Sequence, residues 1–363
     1  MAMKILHIVR QFSPSIGGLE DYVLNLSLEQ KSLGHEVTVY TLNTNFQTDE
    51  RLSSESIVEG VPVKRFSWFG SKRYPVTRFP LKALNQFDIV HVHAVDFFID
   101  YLSLLKRLGL LKAKLVLTTH GGFFHTPQQQ ALKKLYFKTI TRFTLRPVDV
   151  VFTISNNDKA LFQQIKDDCQ LIENGVAYQK FGRPQASANS NDLVYLGRLS
   201  SNKRLSWLIE AFNRLDADGS KLRIIGNRAT GDAAHLESLV KMLNAEDRVQ
   251  LLFNINDDAI RSHIETSRFV VSASEYEGFG LSVIELMSYG LVPFLSSKPD
   301  SFKGFIDQSG VGELFNYEQK QFEASYLALV RAWSADEAKK AKQFAETFSW
   351  KSVARSIVDG YAA

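Results

Sequence analysis

Short β-branched runs alternate with helix-period segments along the whole of this chain, and few folds other than parallel sheets flanked by helices accept that pattern. Residues 4–9, 36–42, 88–93, 114–118 and 148–154 read as strands, and residues 21–32 read as a helix between the first two. The polar, helix-poor stretch 183–191 reads as a linker. After it the series restarts, with strands at 192–196, 221–225, 249–253, 269–272 and 291–295 and helices at 205–215 and 233–243. A length of 363 residues is enough for two domains, each with its own core. The expected architecture is α/β, with two doubly wound, Rossmann-like domains facing a central cleft.

Composition removes several classes. The single cysteine, Cys169, allows neither an internal disulfide nor a cysteine-based zinc cluster, as suits a reducing cytoplasm. The first apolar run is broken by His7 and Arg10, so it is not expected to be a signal peptide. No stretch approaches the ~18 apolar residues of a membrane span. There is no Gly-x-Gly-x-x-Gly after the first strand, which argues against a dinucleotide enzyme, and no P-loop. Residues 1–180 carry 22 Lys/Arg against 16 Asp/Glu, whereas residues 181–363 carry 21 against 23. The basic first half is suited to an anionic membrane, a phosphate-bearing acceptor or nucleic acid.

Ligands of open parallel sheets bind at the carboxyl ends of the strands, so the polar groups that follow strands carry the functional reading. The fullest set is Ser274-Glu275-Tyr276-Glu277-Gly278-Phe279-Gly280-Leu281-Ser282-Val283-Ile284-Glu285, a Gly-rich turn from a strand into a helix. Free N–H groups and the positive dipole end there suit a phosphate. Glu277 and Glu285 would repel that phosphate, and they make sense as acceptors of sugar and ribose hydroxyls. After strand 192–196, Gly197-Arg198 and Lys203-Arg204 place Arg198 and Lys203 where both can meet one anion. Gly17-Gly18 follow strand one and allow close backbone approach to a ligand. Thr118-Thr119-His120-Gly121-Gly122 put His120 at a strand end, where an imidazole can bond a hydroxyl or stay a structural residue. His91 and His93 share one face of a strand. With no third ligand at a suitable spacing, they read as packing or cleft-edge residues. Asp216-Ala217-Asp218 precedes a strand, at the wrong end of the sheet for a metal-diphosphate site, and reads as a solvated turn.

In this order, the Gly-Gly segment, Thr119-His120-Gly121, Asn174-Gly175-Val176, the Arg198/Lys203 loop and Glu277-Gly278-Phe279-Gly280-x4-Glu285 resemble retaining glycosyltransferases of family 4 over nearly the whole chain. The resemblance implies the GT-B fold. It implies an acceptor-binding domain at 1–178, a nucleotide-sugar-binding domain at 190–347, and a helix at 348–361 packing back on the first. In that reading Arg198 and Lys203 grip the donor diphosphate, Glu277 holds the transferred sugar, Glu285 binds the ribose and His120 contacts the sugar ring. Gly17, Gly18, Phe279, Gly280 and Leu281 complete the donor positions. It implies transfer with retention, no cofactor and no metal. The implied partners are a nucleotide sugar, a lipid-linked or oligosaccharide acceptor and an anionic membrane surface, with no nucleic acid. The stretch 119–126 is similar to mannosyltransferases of bacterial exopolysaccharide assembly, which suggests GDP-mannose as donor. A UDP-sugar transferase of polysaccharide or lipopolysaccharide synthesis, a GT-B sugar epimerase and a non-catalytic sugar-nucleotide-binding protein remain alternatives.

The implied location is cytoplasmic, peripheral on the inner face of the cytoplasmic membrane. If residues 127–146 are helical, Lys134, Lys138, Arg142 and Arg146 form one basic stripe beside Leu132, Leu135, Tyr136, Ile140 and Phe143. A second basic-aromatic segment includes Arg65, Trp68, Phe69, Lys72, Arg73, Tyr74 and Phe79.

Overall fold

The computed structural model describes residues 2–120, 135–178, 180–182, 190–215, 219–277 and 279–362. The chain divides into two compact units, Met1–Gly175 with Trp350–Ala363, and Val176–Ser349.

The first unit is built on an eight-stranded sheet. Its strands are β1 (Lys4–Ile8), β2 (Glu36–Leu42), β3 (Glu55–Val58), β4 (Val61–Phe66), β7 (Ile89–His93), β8 (Lys114–Thr118), β9 (Val150–Thr153) and β10 (Cys169–Leu171), and a separate hairpin pairs β5 (Phe69–Ser71) with β6 (Tyr74–Val76). The spatial order is β10-β9-β8-β7-β1-β2-β4-β3, parallel throughout except for the β3–β4 pair. Chain order reverses between β1 and β7, which makes that gap the switch point of the sheet. Alternation along each strand sorts side chains to two faces. Leu6, Ile8, Val90 and Val92 pack on one side with Phe98 and Leu102, while Ile5, Ile89 and Phe152 pack on the other with Tyr22, Val353 and Ile357. The helix Trp350–Ala362 lies on that second face beside the helix Gly18–Ser32. Gly360 permits the close approach, because a Cβ there would meet Phe152 Cε1 at 2.6 Å.

The second unit has six strands, all parallel, in the order β13-β12-β11-β14-β15-β16. They are β11 (Leu193–Leu196), β12 (Leu222–Gly226), β13 (Val249–Phe253), β14 (Phe269–Ser272), β15 (Val292–Ser296) and β16 (Glu313–Phe315). The switch point lies between β11 and β14. Sheet and helices share one core, which includes Phe212, Ile224, Ile284, Phe294 and Phe322.

Some expectations need correction. The first helix begins at Gly18, with Gly17 as its N-cap, three residues before the expected start at 21. The stripe segment is a π-helix over Phe137–Thr141 before an α-turn at Arg142–Leu145. The Thr139 hydroxyl donates to the Leu135 carbonyl at 2.7 Å and so competes with the regular ladder. Arg65 and Phe79 are buried, not part of an exposed basic-aromatic surface. The Arg65 guanidinium donates to Ser56 Oγ and the Ser13 carbonyl, both at 2.7 Å. Most of the linker (183–189), Asp216 to Asp218, the stretch 121–126 and Lys134 lie outside the described residues.

Candidate active site

The switch point of the second unit gathers the residues singled out after β11 and β14. Beyond β11 the chain turns at Gly197, forms a 3-10 turn over Ser201–Lys203 and enters the helix Leu205–Asn213. Beyond β14 it runs through Glu277 and Phe279 to Gly280, which caps the helix Leu281–Met287, while Gly278 lies outside the described residues. Gly280 has φ +105°, and a Cβ there would meet Phe302 Cε1 at 2.9 Å. Glycine therefore fits on both counts. No side chain caps that helix start.

The two loops are joined. Glu275 N–H donates to the Asn202 carbonyl at 2.9 Å and Asn202 Nδ2 donates to the Tyr276 carbonyl at 3.1 Å. These bonds bring Lys203 onto Glu277, whose Oε1 receives the Lys203 ammonium and the Ser274 hydroxyl, the latter at 2.9 Å. Ser296 Oγ holds the Ser274 carbonyl at 2.5 Å and Tyr317 OH holds the Ala273 carbonyl at 2.9 Å, so the turn is fixed from behind. Arg198 is exposed, and its carbonyl accepts from Tyr195 OH at 2.6 Å. Leu281 is exposed and Phe279 is buried against Phe305 and Phe348. Burial raises the pKa of Glu285, and the Lys180 charge opposes the shift. Lys203 and Glu277 thus meet, whereas among the described residues neither Arg198 nor Glu285 makes a hydrogen bond or ion pair with them.

In the first unit, Gly18 has open space where a Cβ would lie, and a Cβ on Gly17 would run into the Glu20 carboxylate. His120, two residues beyond β8, has φ +52°, a left-handed conformation that costs a non-glycine residue energy and recurs at functional sites. Its Nε2 lies 3.0 Å from His93 Nδ1. His91 and His93 are buried, as the packing reading requires. A third histidine does join them, however: His7 of β1, which pairs with His91 in register.

A cavity of about 440 Å³ opens at the switch point of this unit, lined by Arg10, Arg73, Tyr74, Asp96, Asp100 and Tyr136. Asp96 follows β7 and caps the helix Phe97–Arg107 through Oδ1, which accepts from Phe98 N–H at 2.9 Å. Its Oδ2 is buried with no hydrogen-bond partner among the described residues. Burial pushes its pKa up to about 7, against the pull of Arg10. Asp100 is held by Tyr74 OH at 2.6 Å and Thr144 Oγ1 at 2.8 Å. Sequence reading missed Asp96, although an acid between a strand and an apolar helix is a recognisable capping signal.

Residues 16–180 match the profile of Glycosyltransferase Family 4, and residues 179–347 match that of Glycosyl transferases group 1. A GDP-mannose:cellobiosyl-diphosphopolyprenol alpha-mannosyltransferase of Xanthomonas oryzae pv. oryzae is 35% identical over 99% of this chain and 96% of its own length. The chain belongs to the family 4 glycosyltransferases. An enzyme of the same name from Komagataeibacter xylinus is 34% identical to the transferase over 99% of this chain and 93% of its own. Among solved structures, the sucrose-phosphate synthase of Thermosynechococcus elongatus superposes on the transferase with a TM-score of 0.66, at 18% identity and covering 99% and 98% of the two chains. The transferase has the GT-B fold, with two Rossmann-like units. No helix among its described residues is long and apolar enough to cross a membrane.

Proposed function

We propose that this glycosyltransferase moves mannose from GDP-mannose, with retention and without a metal, to a lipid-diphosphate-linked glycan. The names borne by the relatives from Xanthomonas and Komagataeibacter support the donor and the acceptor class. The observation that carries the chemistry is the Lys203–Glu277 pair at the switch point of the second sheet. A fixed ammonium already oriented by a carboxylate needs no reorganisation when a diphosphate arrives beside it. Lys203 and the exposed Arg198 hold the donor diphosphate and neutralise the charge that grows on it. Glu277 accepts hydroxyls of the transferred sugar, and Glu285 those of the ribose. His120 bonds the sugar. The bond from the anomeric carbon to the phosphate oxygen breaks as the acceptor oxygen attacks from the same face, and the acceptor proton passes to the departing phosphate.

The Asp96 cavity suits the acceptor sugar, because a hydroxyl can donate to the unpartnered Asp96 Oδ2 while Arg10 and Arg73 lie at its margin. Peripheral attachment to an anionic surface is supported by Lys138, Arg142 and Arg146, which are exposed beside exposed Leu135, Ile140 and Phe143.

The test is release of nucleoside diphosphate from a panel of nucleotide sugars, with and without a polyprenyl-diphosphate disaccharide and with EDTA present. The expected result is GDP release from GDP-mannose that depends on the acceptor and survives EDTA. UDP release without acceptor would favour an epimerase, no release a binding protein, and loss restored only by Mg²⁺ or Mn²⁺ a metal-bridged diphosphate.

A further inference from the structure

Behind His120 runs a line of buried polar side chains that the transfer chemistry leaves unused. His120 Nε2 is 3.0 Å from His93 Nδ1, His93 Nε2 is 2.9 Å from His7 Nδ1, and His7 Nε2 is 2.7 Å from Gln30 Oε1. Gln30 Nε2 donates to Tyr361 OH at 3.0 Å. That hydroxyl is 2.7 Å from His91 Nδ1, and His91 Nε2 is 2.7 Å from Thr118 Oγ1. His7, Gln30, His91, His93 and Thr118 are wholly buried. The line draws on β1, β7, β8 and the helices Gly18–Ser32 and Trp350–Ala362, all within the first unit.

We propose that this relay, anchored at Gln30, fixes the tautomer in which His120 faces the donor sugar, with the proton on Nε2 and a bare Nδ1 as hydrogen-bond acceptor. The proposal rests on the reading that His120 contacts that sugar. Each neutral imidazole has one donor and one acceptor nitrogen, so one choice of direction propagates along the whole line. With Gln30 Oε1 toward His7, His7 donates to Gln30, His93 donates to His7, and His120 donates to His93. On the far side the amide donates to Tyr361, the phenol donates to His91, and His91 donates to Thr118. All four imidazoles then carry the proton on Nε2, the tautomer free histidine prefers. Turning the amide reverses every bond and demands four Nδ1–H tautomers at once. His120 Nδ1 has no hydrogen-bond partner among the described residues, which leaves it available to a hydroxyl donor.

Two features argue against simpler readings. Burial lowers the pKa of His7 to about 4 and of His120 to about 3, and drives His91 and His93 down as well, so the line is neutral at physiological pH. His7, His91 and His93 lie close enough for a metal site, yet both nitrogens of each already face a hydrogen-bond partner.

The test is long-range ¹H–¹⁵N NMR of the full chain labelled at histidine nitrogens, with His120 assigned by its loss in His120→Asn. The expected spectrum has the His120 proton on Nε2 and a ¹⁵N–¹⁵N coupling across the bond to His93 Nδ1. A proton on His120 Nδ1, an imidazolium at neutral pH or a stoichiometric bound zinc would overturn the relay, whichever donor the enzyme uses. Two variants then couple it to transfer. His7→Leu removes the acceptor for His93, and turnover should fall about 10-fold to 100-fold, the range seen for partners that orient metal-bound histidines, with nucleoside diphosphate affinity unchanged. His7→Asn supplies an oxygen near the place of Nδ1 and should restore most of the loss. Wild-type spectra as expected, together with full turnover in folded His7→Leu, would overturn the link to the sugar and leave the hydrogen-bond order standing.

Discussion

Lys203 and Glu277 form an ion pair that ties the loop after β11 to the turn after β14, with only 10% and 16% of their side chains open to solvent. Arg198, from the same loop as Lys203, is exposed. Two cations proposed for one diphosphate therefore sit in different surroundings, and their removal should be told apart. Arg198→Ala should lower turnover ~10²-fold or more, about 2.7–4 kcal/mol of transition-state stabilisation, with thermal stability intact. Lys203→Met should lose turnover and also stability, on the order of 3–5 kcal/mol, because Glu277 stays nearly enclosed without its cation. Rate assays beside thermal melts check both. A Lys203→Met protein as stable as wild type would mean that water or another cation satisfies Glu277.

In the proposed mechanism Glu277 serves the sugar and Glu285 the nucleoside. Glu277→Ala should damage turnover while largely preserving affinity for free GDP. Glu285→Ala should weaken GDP binding itself. Calorimetry with GDP separates them, and the opposite pattern would refute the assignment.

Asp96 gives a pH-dependent stability with a sign that can be worked out. Its folded pKa, about 7, lies above the ordinary 3.8, so the folded chain binds more protons than the unfolded chain between those values. The ionised form is the one that burial penalises. Stability therefore falls as pH rises from about 4 toward 7, by roughly 1.4 kcal/mol per pH unit. Asp96→Asn keeps an oxygen to cap Phe98 and cannot ionise. It should melt higher than wild type at pH 8 and equally at pH 4, and it should raise the acceptor KM. A melting difference independent of pH would remove the carboxyl from the explanation.

Changing Lys138, Arg142 and Arg146 together to Glu should abolish co-sedimentation with anionic vesicles at low salt, since each basic residue near such a surface contributes roughly 1 kcal/mol. Wild-type binding should weaken as salt rises. Equal binding of both proteins would move the membrane face elsewhere.

The parts of the site that sequence reveals are those carried by short contiguous runs. Strand β14, Glu277 and the glycine turn follow one another within twelve residues, so turn chemistry and charge suffice to find them. That Glu277 meets Lys203 is a fact of sheet order, since they stand 74 positions apart in the chain. The histidines follow the same rule: His91 and His93 share a strand, but His7 reaches them only because β1 lies beside β7. Strand β4 escaped notice because Pro62 interrupts it, a residue that normally argues against a paired strand. The helix Phe97–Arg107 was missed, and with it Asp96. Its apolar residues at 97, 98, 99 and 102 run on from Val95, which blurs the start.

Tyr361 also sets an order of events during synthesis. The unit Val176–Ser349 is one unbroken stretch and can close as soon as it has left the ribosome. The unit that precedes it has Val353, Ile357 and Tyr361 in its core, so its sheet waits with one face uncovered while the intervening 176–349 are made. The part of the chain synthesised first is thus the part finished last, and a nascent chain halted before Trp350 should expose β1, β7 and β9 to chaperones or protease while its second unit is already resistant.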